Sequence, residues 1–278
     1  MALKSATAIA LVAATGAQAG GVDRSGQSVD IIFEEGNHLR FSAGIVQPDI
    51  SGVDVSTAAT GNVAENYTVP SFGLRYQISD TLAAAFLYDT PYGASVSYPD
   101  YGGAYNNLEA ELSSTGLTGI LQFSPNENVS VYGGVRYQSL DAEVTLNEAA
   151  YGPLQGYNFQ GEDSGAFGWL AGVAYEVPEI ALRVAATYYS EVDFELETAE
   201  NFAPGGSPDT PVTGPQRVHL DFQSGIAADT LLFGSIRWVD WGVVTLQPSV
   251  PPSPLLEYDE AVVTYTLGVG RRVTENFS

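Results

Sequence analysis

Residues 217–241, RVHLDFQSGIAADTLLFGSIRWVDW, alternate apolar and polar side chains with a period of two. Val218, Leu220 and Phe222 share one face and Arg217, His219, Asp221 and Gln223 the other, because successive strand side chains point to opposite sides of a sheet. After a short break at residues 227–230, the return arm sets Leu232, Gly234, Ile236 and Trp238 against Phe233, Ser235, Arg237 and Val239. Such a hairpin fits a half-buried sheet in a soluble sandwich as well as a membrane barrel. Strand length, loop pattern and export signals decide between them.

The pattern recurs along the chain. Residues 38–47 alternate Leu39, Phe41, Ala43 and Ile45 with His38, Arg40, Ser42 and Gly44, and residues 67–77 set Phe72, Leu74 and Tyr76 against Ser71, Gly73, Arg75 and Gln77. Further strands are predicted at 82–92, from about 105 to 123, and at 129–143, 166–177, 182–197 and 258–271. Between them, short turns at 79–80, 124–126 and 178–179 alternate with long loops at 48–66, 147–162, 198–215 and 248–254. About ten strands with turns short at one end and loops long at the other is the pattern of an outer-membrane barrel, where strands of about 9 to 11 residues or more cross at a tilt. Closure matters there, because an unpaired backbone group in hydrocarbon costs several kcal/mol.

Residues 1–19 read as a signal peptide, with Lys4, an apolar run over 6–14, and Ala17-Gln18-Ala19 as the cleavage site. The polar, glycine-rich residues 20–37 form a lead-in, and residues 38–278 are the barrel. No other stretch reaches the roughly 18 consecutive apolar residues of a membrane helix. Charged residues make up only 15% of the chain, too few for an ordinary soluble surface. A formal charge of −23 excludes nucleic acid as a partner, since phosphate contacts need Lys and Arg. With no cysteine there are no disulfides or thiolate metal sites, and no cofactor is expected.

Lys4 is the only lysine, so the remaining bases are all arginine. Arg40, Arg75, Arg136, Arg183, Arg217 and Arg237 lie on the polar faces of their strands, which is the lumen side of a barrel. There they pair with carboxylates such as Glu191 and Asp221, or attract the carboxylate of a ligand through the planar guanidinium. Glu195, Glu197 and Glu200 form either a solvated acidic face or a divalent-cation site. Trp238 and Trp241 suit an interfacial girdle or an apolar channel lining. His219 and Asp221 share a face and would be the pair to test for catalysis, but no phosphate loop, metal-ligand spacing or nucleophile elbow accompanies them, and no enzymatic activity is expected. Pro91 and Gly93 end strand 82–92 and predict a kink or bulge there.

Several segments resemble the FadL family of outer-membrane transporters: FSAG at 41–44, Pro48-Asp49 with Ser51-Gly52, residues 66–70, Tyr92-Gly93, YYSEVDFE at 188–195 and the WVDW run after Arg237. The resemblance implies an all-β fold, a transmembrane antiparallel barrel of fourteen strands plugged by an N-terminal hatch, with about ten strands present here and a short hatch at 20–37 without the family's Asn-Pro-Ala signature. The barrel would be incomplete at its C-terminal end, with further strands after Ser278. It also implies passive uptake of long-chain fatty acids or other hydrophobic small molecules, with Pro91, Tyr92 and Gly93 at a strand-three kink that releases ligand sideways into the membrane. The expected setting is the outer membrane, as a monomer among lipid and lipopolysaccharide. A general porin for small polar solutes is the alternative, and a surface adhesin or phage receptor would reside in the long loops.

Overall fold

A computed structural model of the chain describes residues 22–147 and 149–272. The expected signal peptide at 1–19 and the turn expected at 273–277 lie outside the described residues. The strands are β1 (His38–Val46), β2 (Tyr67–Gln77), β3 (Leu82–Asp89), β4 (Gly93–Ser97), β5 (Glu109–Asn126), β6 (Val129–Leu146), β7 (Tyr157–Val177), β8 (Leu182–Tyr189), β9 (Val192–Glu200), β10 (Thr210–Gly214), β11 (Arg217–Ala227), β12 (Thr230–Val239), β13 (Thr245–Leu246), β14 (Leu256–Glu257) and β15 (Val262–Arg271). One curled antiparallel sheet follows the order β1-β2-β3-β5-β6-β7-β8-β11-β12-β15, with β4 beside β5 and the β9–β10 pair extending β7. Among the described residues this path runs from β1 at one edge to β15 at the other.

Three segments expected as loops are partly strand, the stretch between residues 92 and 105 holding β4. β7 begins at Tyr157 and pairs with the end of β6, and β10 pairs with β9. Composition misled there because Gly, Pro and Asn mark turns only where no neighbouring strand claims the backbone.

Alternation holds along the membrane band. Leu39, Phe41, Ile45, Leu74, Leu117, Leu121, Val131, Val135, Val173, Leu220, Ile236 and Leu267 all project outward and exposed. Tyr137 with Phe167 and Trp169 with Tyr188 make ring pairs on this outer face, with centroids 5.2 Å apart in each. Toward the loop end the phase reverses. Leu112, Leu140, Ala142, Phe194 and Leu196 turn inward and are buried, while Glu111, Glu143, Glu195 and Glu197 are exposed. Outside hydrocarbon the wall obeys the rule of a water-soluble protein, apolar in and charged out.

The N-terminal segment lies inside the curl. A 3-10 turn at Asp30–Phe33 buries Ile31 and Ile32 against Ala85, Ile120, Tyr132, Leu170, Ala174, Ala185 and Tyr189 of the inner wall. Small wall residues leave the room: a side chain at Gly73 would stand 2.6 Å from Ile31 Cδ1. Each buried isoleucine contributes about 1.5–3 kcal/mol to holding the segment in place.

At the loop end, Asp54 ties two loops together. Its carboxylate accepts from Ser56 N–H (2.8 Å) and Oγ–H (2.6 Å), from Ala58 N–H (3.0 Å), and across the fold from Tyr101 O–H (2.9 Å) and Ala104 N–H. The Ser56 hydroxyl foremost, with the Ala104 amide, the Tyr101 hydroxyl and the Ala58 amide, holds this carboxyl well below the usual carboxylate range. A depressed carboxyl stabilises in its charged form. The clasp is therefore complete above the ordinary value of about 3.9 and is lost as pH falls from there through the lower folded value. Asp54→Ala is expected to remove hydrogen-exchange protection at the Ser56 and Ala58 amides at neutral pH, and the native protein to lose that protection, measured against the intrinsic rate at each pH, only in strong acid.

Candidate functional site

By register β3 and β4 are one strand with a break. β3 pairs with β5 up to Asp89↔Gly116, and β4 resumes at Gly93↔Ser113, so residues 90–92 leave the ladder. Pro91 brings no amide proton to the break. The freed groups are satisfied from inside. Tyr92 N–H donates to Ser114 Oγ (2.7 Å), whose hydroxyl donates back to Tyr92 O (2.8 Å). Arg24 N–H donates to Pro91 O (3.0 Å), Gly93 N–H to Val22 O (2.8 Å), and Asp23 forms a bridge with Tyr92. The N-terminal segment is thus docked on the break.

Beside the break the wall has a gap. β2 pairs with β3 only as far as Phe72↔Tyr88. Contact resumes beyond it with Glu65 N–H to Ser95 O (3.1 Å) and the bridge between Ala64 and Val96. Arg24 stands in this gap. Its Cζ lies 4.3 Å from the centre of the Tyr67 ring, and a Cβ at Gly93 would come within 2.3 Å of its Nε.

Two cavities lie along the N-terminal segment near the break. On the loop side, Tyr92, Val22, Leu112, Leu140, Phe194, Leu196, Val212, Trp241, Val244 and Leu246 enclose a small apolar cavity of about 20 Å³. On the turn side, a cavity of about 350 Å³ is lined by residues 24–29 of the N-terminal segment, by Val69, Ser71 and Gly73 at the gap, and by Asp89, Thr118, Arg136 and Tyr189. Tyr92 walls the smaller one. Its ring meets Trp241 edge-on at 5.9 Å, and its hydroxyl accepts from Arg217 (2.9 Å).

The six lumen arginines fall into two groups. Four engage neighbours of the N-terminal segment or wall. Arg40 pairs with Glu34 (2.6 Å), Arg75 donates to Ile32 O (2.9 Å) and Gly36 O, Arg183 reaches Gln223 (3.1 Å) and Glu176 (4.0 Å), and Arg237 pairs with Asp23. Arg136 and Arg217 differ: both are almost wholly buried, and in each Nε and one terminal nitrogen have no hydrogen-bond partner. They flank Tyr189, with Cζ atoms 5.5 and 4.1 Å from its ring centre. Arg136 lines the larger cavity, where a buried guanidinium with idle donors is suited to receiving an anionic group.

Trp241 lines the apolar cavity at 1% exposure and so lies inside rather than in a girdle, whereas Trp238 sits opposite Val218 and Val263 in the wall. Glu195 and Glu197 point out from β9 while Glu200 turns in, so the three do not converge. Burial pushes the Glu200 carboxyl up, but hydrogen bonds from Ser249, Tyr157 and Val250 outweigh it and hold it low. It anchors the proline loop to β7 and β9. His219 Nε2 accepts from Arg237 Nε (3.0 Å), which occupies the lone pair a general base would need.

Sequence reasoning missed Asp23 and Arg24, which carry no motif, and the inward apolar row of β9. Val192, Phe194 and Leu196 alternate with acids within the strand expected at 182–197, but nothing in that alternation marks where the membrane ends and so which face is inside.

Residues 12–220 match the model of the family described as outer membrane protein transport protein (OMPP1/FadL/TodX). Among solved structures, the fold is similar to a FadL homologue of Pseudomonas aeruginosa, at 17% identity and TM-score 0.61, over 86% of this chain and 68% of that one. It is also similar to the toluene transporter TbuX of Ralstonia pickettii, at 14% identity and TM-score 0.56, over 87% and 75%. The toluene transporter TodX of Pseudomonas putida aligns at 11% identity and TM-score 0.58, over 92% and 78%. No curated protein matches the chain in sequence.

Proposed function

Because this chain belongs to the OMPP1/FadL/TodX family of outer membrane transport proteins, we propose that it takes up hydrophobic small molecules passively and releases them sideways through the strand-three break. The observation that carries the reading is the coincidence of three features: residues 90–92 out of the ladder, no ladder between β2 and the same stretch, and the larger cavity lined by both margins of that gap. An apolar solute arrives through the loop-end cavity walled by Phe194, Leu196 and Trp241, passes Tyr92, and leaves between β2 and β4. Lateral release keeps apolar surface out of water, which otherwise costs about 25 cal/mol per Å². Pro91, Tyr92 and Gly93 form the exit.

Of the proposed lumen arginines, Arg136 and Arg217 each have two buried nitrogens to spare, against one in Arg237, which favours solutes bearing a carboxylate, long-chain fatty acids among them. Arg40, Arg75, Arg183 and Arg237 hold the segment and the wall. The working unit is a monomer embedded in outer-membrane lipid and lipopolysaccharide.

Uptake of radiolabelled oleate and toluene by proteoliposomes, with conductance recorded in planar bilayers, tests this. Saturable uptake without a steady ion current is expected, and Gly93→Val is expected to abolish uptake with the barrel intact, since its side chain drives Arg24 out of place. A steady open current with no uptake of either solute would support the porin instead, and full uptake by Gly93→Val would remove the strand-three exit.

A further inference from the structure

One side of the apolar cavity is closed by a hairpin that is not part of the wall. Among the described residues, β13 and β14 pair with each other, Thr245↔Glu257 and Leu246↔Leu256, and form a sheet separate from the curled sheet. Leu255 N–H to Leu246 O (2.8 Å), Tyr258 N–H to Val244 O (3.3 Å) and Gln247 Nε2 to Pro251 O (2.8 Å) hold residues 244–258 together as a unit. Val244, Leu246 and Leu256 of this unit line the cavity. At its base, Asp240 N–H donates to Gln216 O (3.1 Å) and the Trp241 ring meets Tyr258 at 5.4 Å. The tip is tied to the wall by a carboxylate. Glu200 is buried at the end of β9, where Oε1 accepts from Val250 N–H (2.9 Å) and Tyr157 O–H (2.7 Å), and Oε2 from Ser249 N–H (3.3 Å) and the Ser249 hydroxyl.

We propose that residues 244–258 are a hinged lid on the apolar cavity and that Glu200 is its latch, a positioning residue that sets how readily a hydrophobic solute enters from the loop end. The lid can swing on its base without parting any strand of the curled sheet, because no ladder joins the two. Its tip is preshaped: Pro248 and Pro251 are buried, and each fixes its own backbone φ. Ser249 between them is exposed, so water at the loop end takes over its hydrogen bonds and those of the carboxylate when the tip lifts. What then opposes opening is the exposure of Val244, Leu246 and Leu256 to water. An apolar solute covers that surface and a polar one does not. The latch thus holds the empty lid shut, and the solute offsets the cost of lifting it.

The inference rests on the uptake reading, and the experiment separates the two. The native chain has no cysteine, so a single thiol placed in the cavity reports its access to water, on the lid as Leu246→Cys or on β5 as Leu112→Cys. Each is reacted in proteoliposomes with a membrane-impermeant cationic methanethiosulfonate. Glu200→Gln withdraws the charged acceptor and turns an amide N–H toward the donors of the tip, so both thiols are expected to react about tenfold faster. Ser249→Ala alters an exposed residue, keeps the carboxylate and should speed both about threefold, which carries the test if Glu200→Gln does not assemble. In the cysteine-free chain, toluene uptake at low concentration should rise in step. Unchanged rates at both thiols would overturn the latch, and acceleration at residue 246 alone would overturn the lid, since a fraying hairpin exposes itself without opening the cavity. Absence of toluene uptake by the unmodified protein would instead overturn the uptake reading, and the role of the lid in entry with it, whatever the thiols show.

Discussion

Replacing Tyr92 with alanine is expected to join the two chambers into one continuous lumen, read as a steady ion current in planar bilayers where the native protein passes none. The ring walls the 20 Å³ apolar cavity between Trp241 and the Arg217 guanidinium, and the 350 Å³ cavity begins at Arg24, Ser25 and Asp89 beside it. Removing it leaves a void that the neighbours cannot fill, because Leu112, Leu140 and Trp241 are held by strands or by the 3-10 turn at Trp241–Val243. Truncation of a buried aromatic costs roughly 3–5 kcal/mol, so the melting temperature should also fall. Tyr92→Phe separates partition from hydroxyl. It keeps the ring, so no current is expected, but it takes away the acceptor of Arg217 and leaves that buried guanidinium with one more idle donor. A closed lumen in Tyr92→Ala would mean that the N-terminal residues Val22–Ser25, not the ring, divide the chambers.

The wall of this protein was legible in its sequence because hydrocarbon imposes a strict rule on it. Val218, Leu220 and Ile236 face lipid and Arg217, His219 and Arg237 face the lumen, as the period-two pattern of the 217–241 hairpin requires. The break at strand three was legible too, since Pro91 cannot donate to a ladder. Less legible was everything decided by what lies across the lumen. That Asp23 meets Arg237 and Arg24 meets Tyr67 depends on the path of a segment with no periodicity of its own. The reversal of phase above the aromatic pairs was hidden for a different reason. Val192, Phe194 and Leu196 alternate with Asp193, Glu195 and Glu197 as cleanly as any membrane strand, and only the height of β9 relative to the bilayer says which face is inside.

These two illegible features together make the site. The inward apolar row walls the apolar cavity, and the N-terminal segment supplies the backbone partners that allow strand three to stay broken. An interruption of this kind in a bare barrel would leave Pro91 O and Gly93 N–H unpaired. Docking of residues 22–25 removes that penalty, so break and segment stabilise each other, and on the proposed route a solute that displaces the segment must itself compensate for what it breaks.

Asp23→Asn tests that dependence, and its expected effect is release of the N-terminal segment. Asp23 is the one acid paired with Arg237, both groups lie nearly out of solvent, and Arg237 is further fixed by His219 Nε2 at 3.0 Å. Neutralising one member of a buried pair costs about 3–5 kcal/mol because the other charge stays behind without compensation. That is comparable to what Ile31 and Ile32 contribute by burial, so the docked state should become a minor one rather than merely weaken. Limited proteolysis is expected to cleave within residues 22–37 in Asp23→Asn at protease levels that spare the native protein, and toluene uptake should lose its saturation. Arg237→Met in the same background removes the stranded charge and should restore protection. If Asp23→Asn stays as resistant as the native protein, the isoleucine anchor alone holds the segment and the ion pair plays no part in closing the exit.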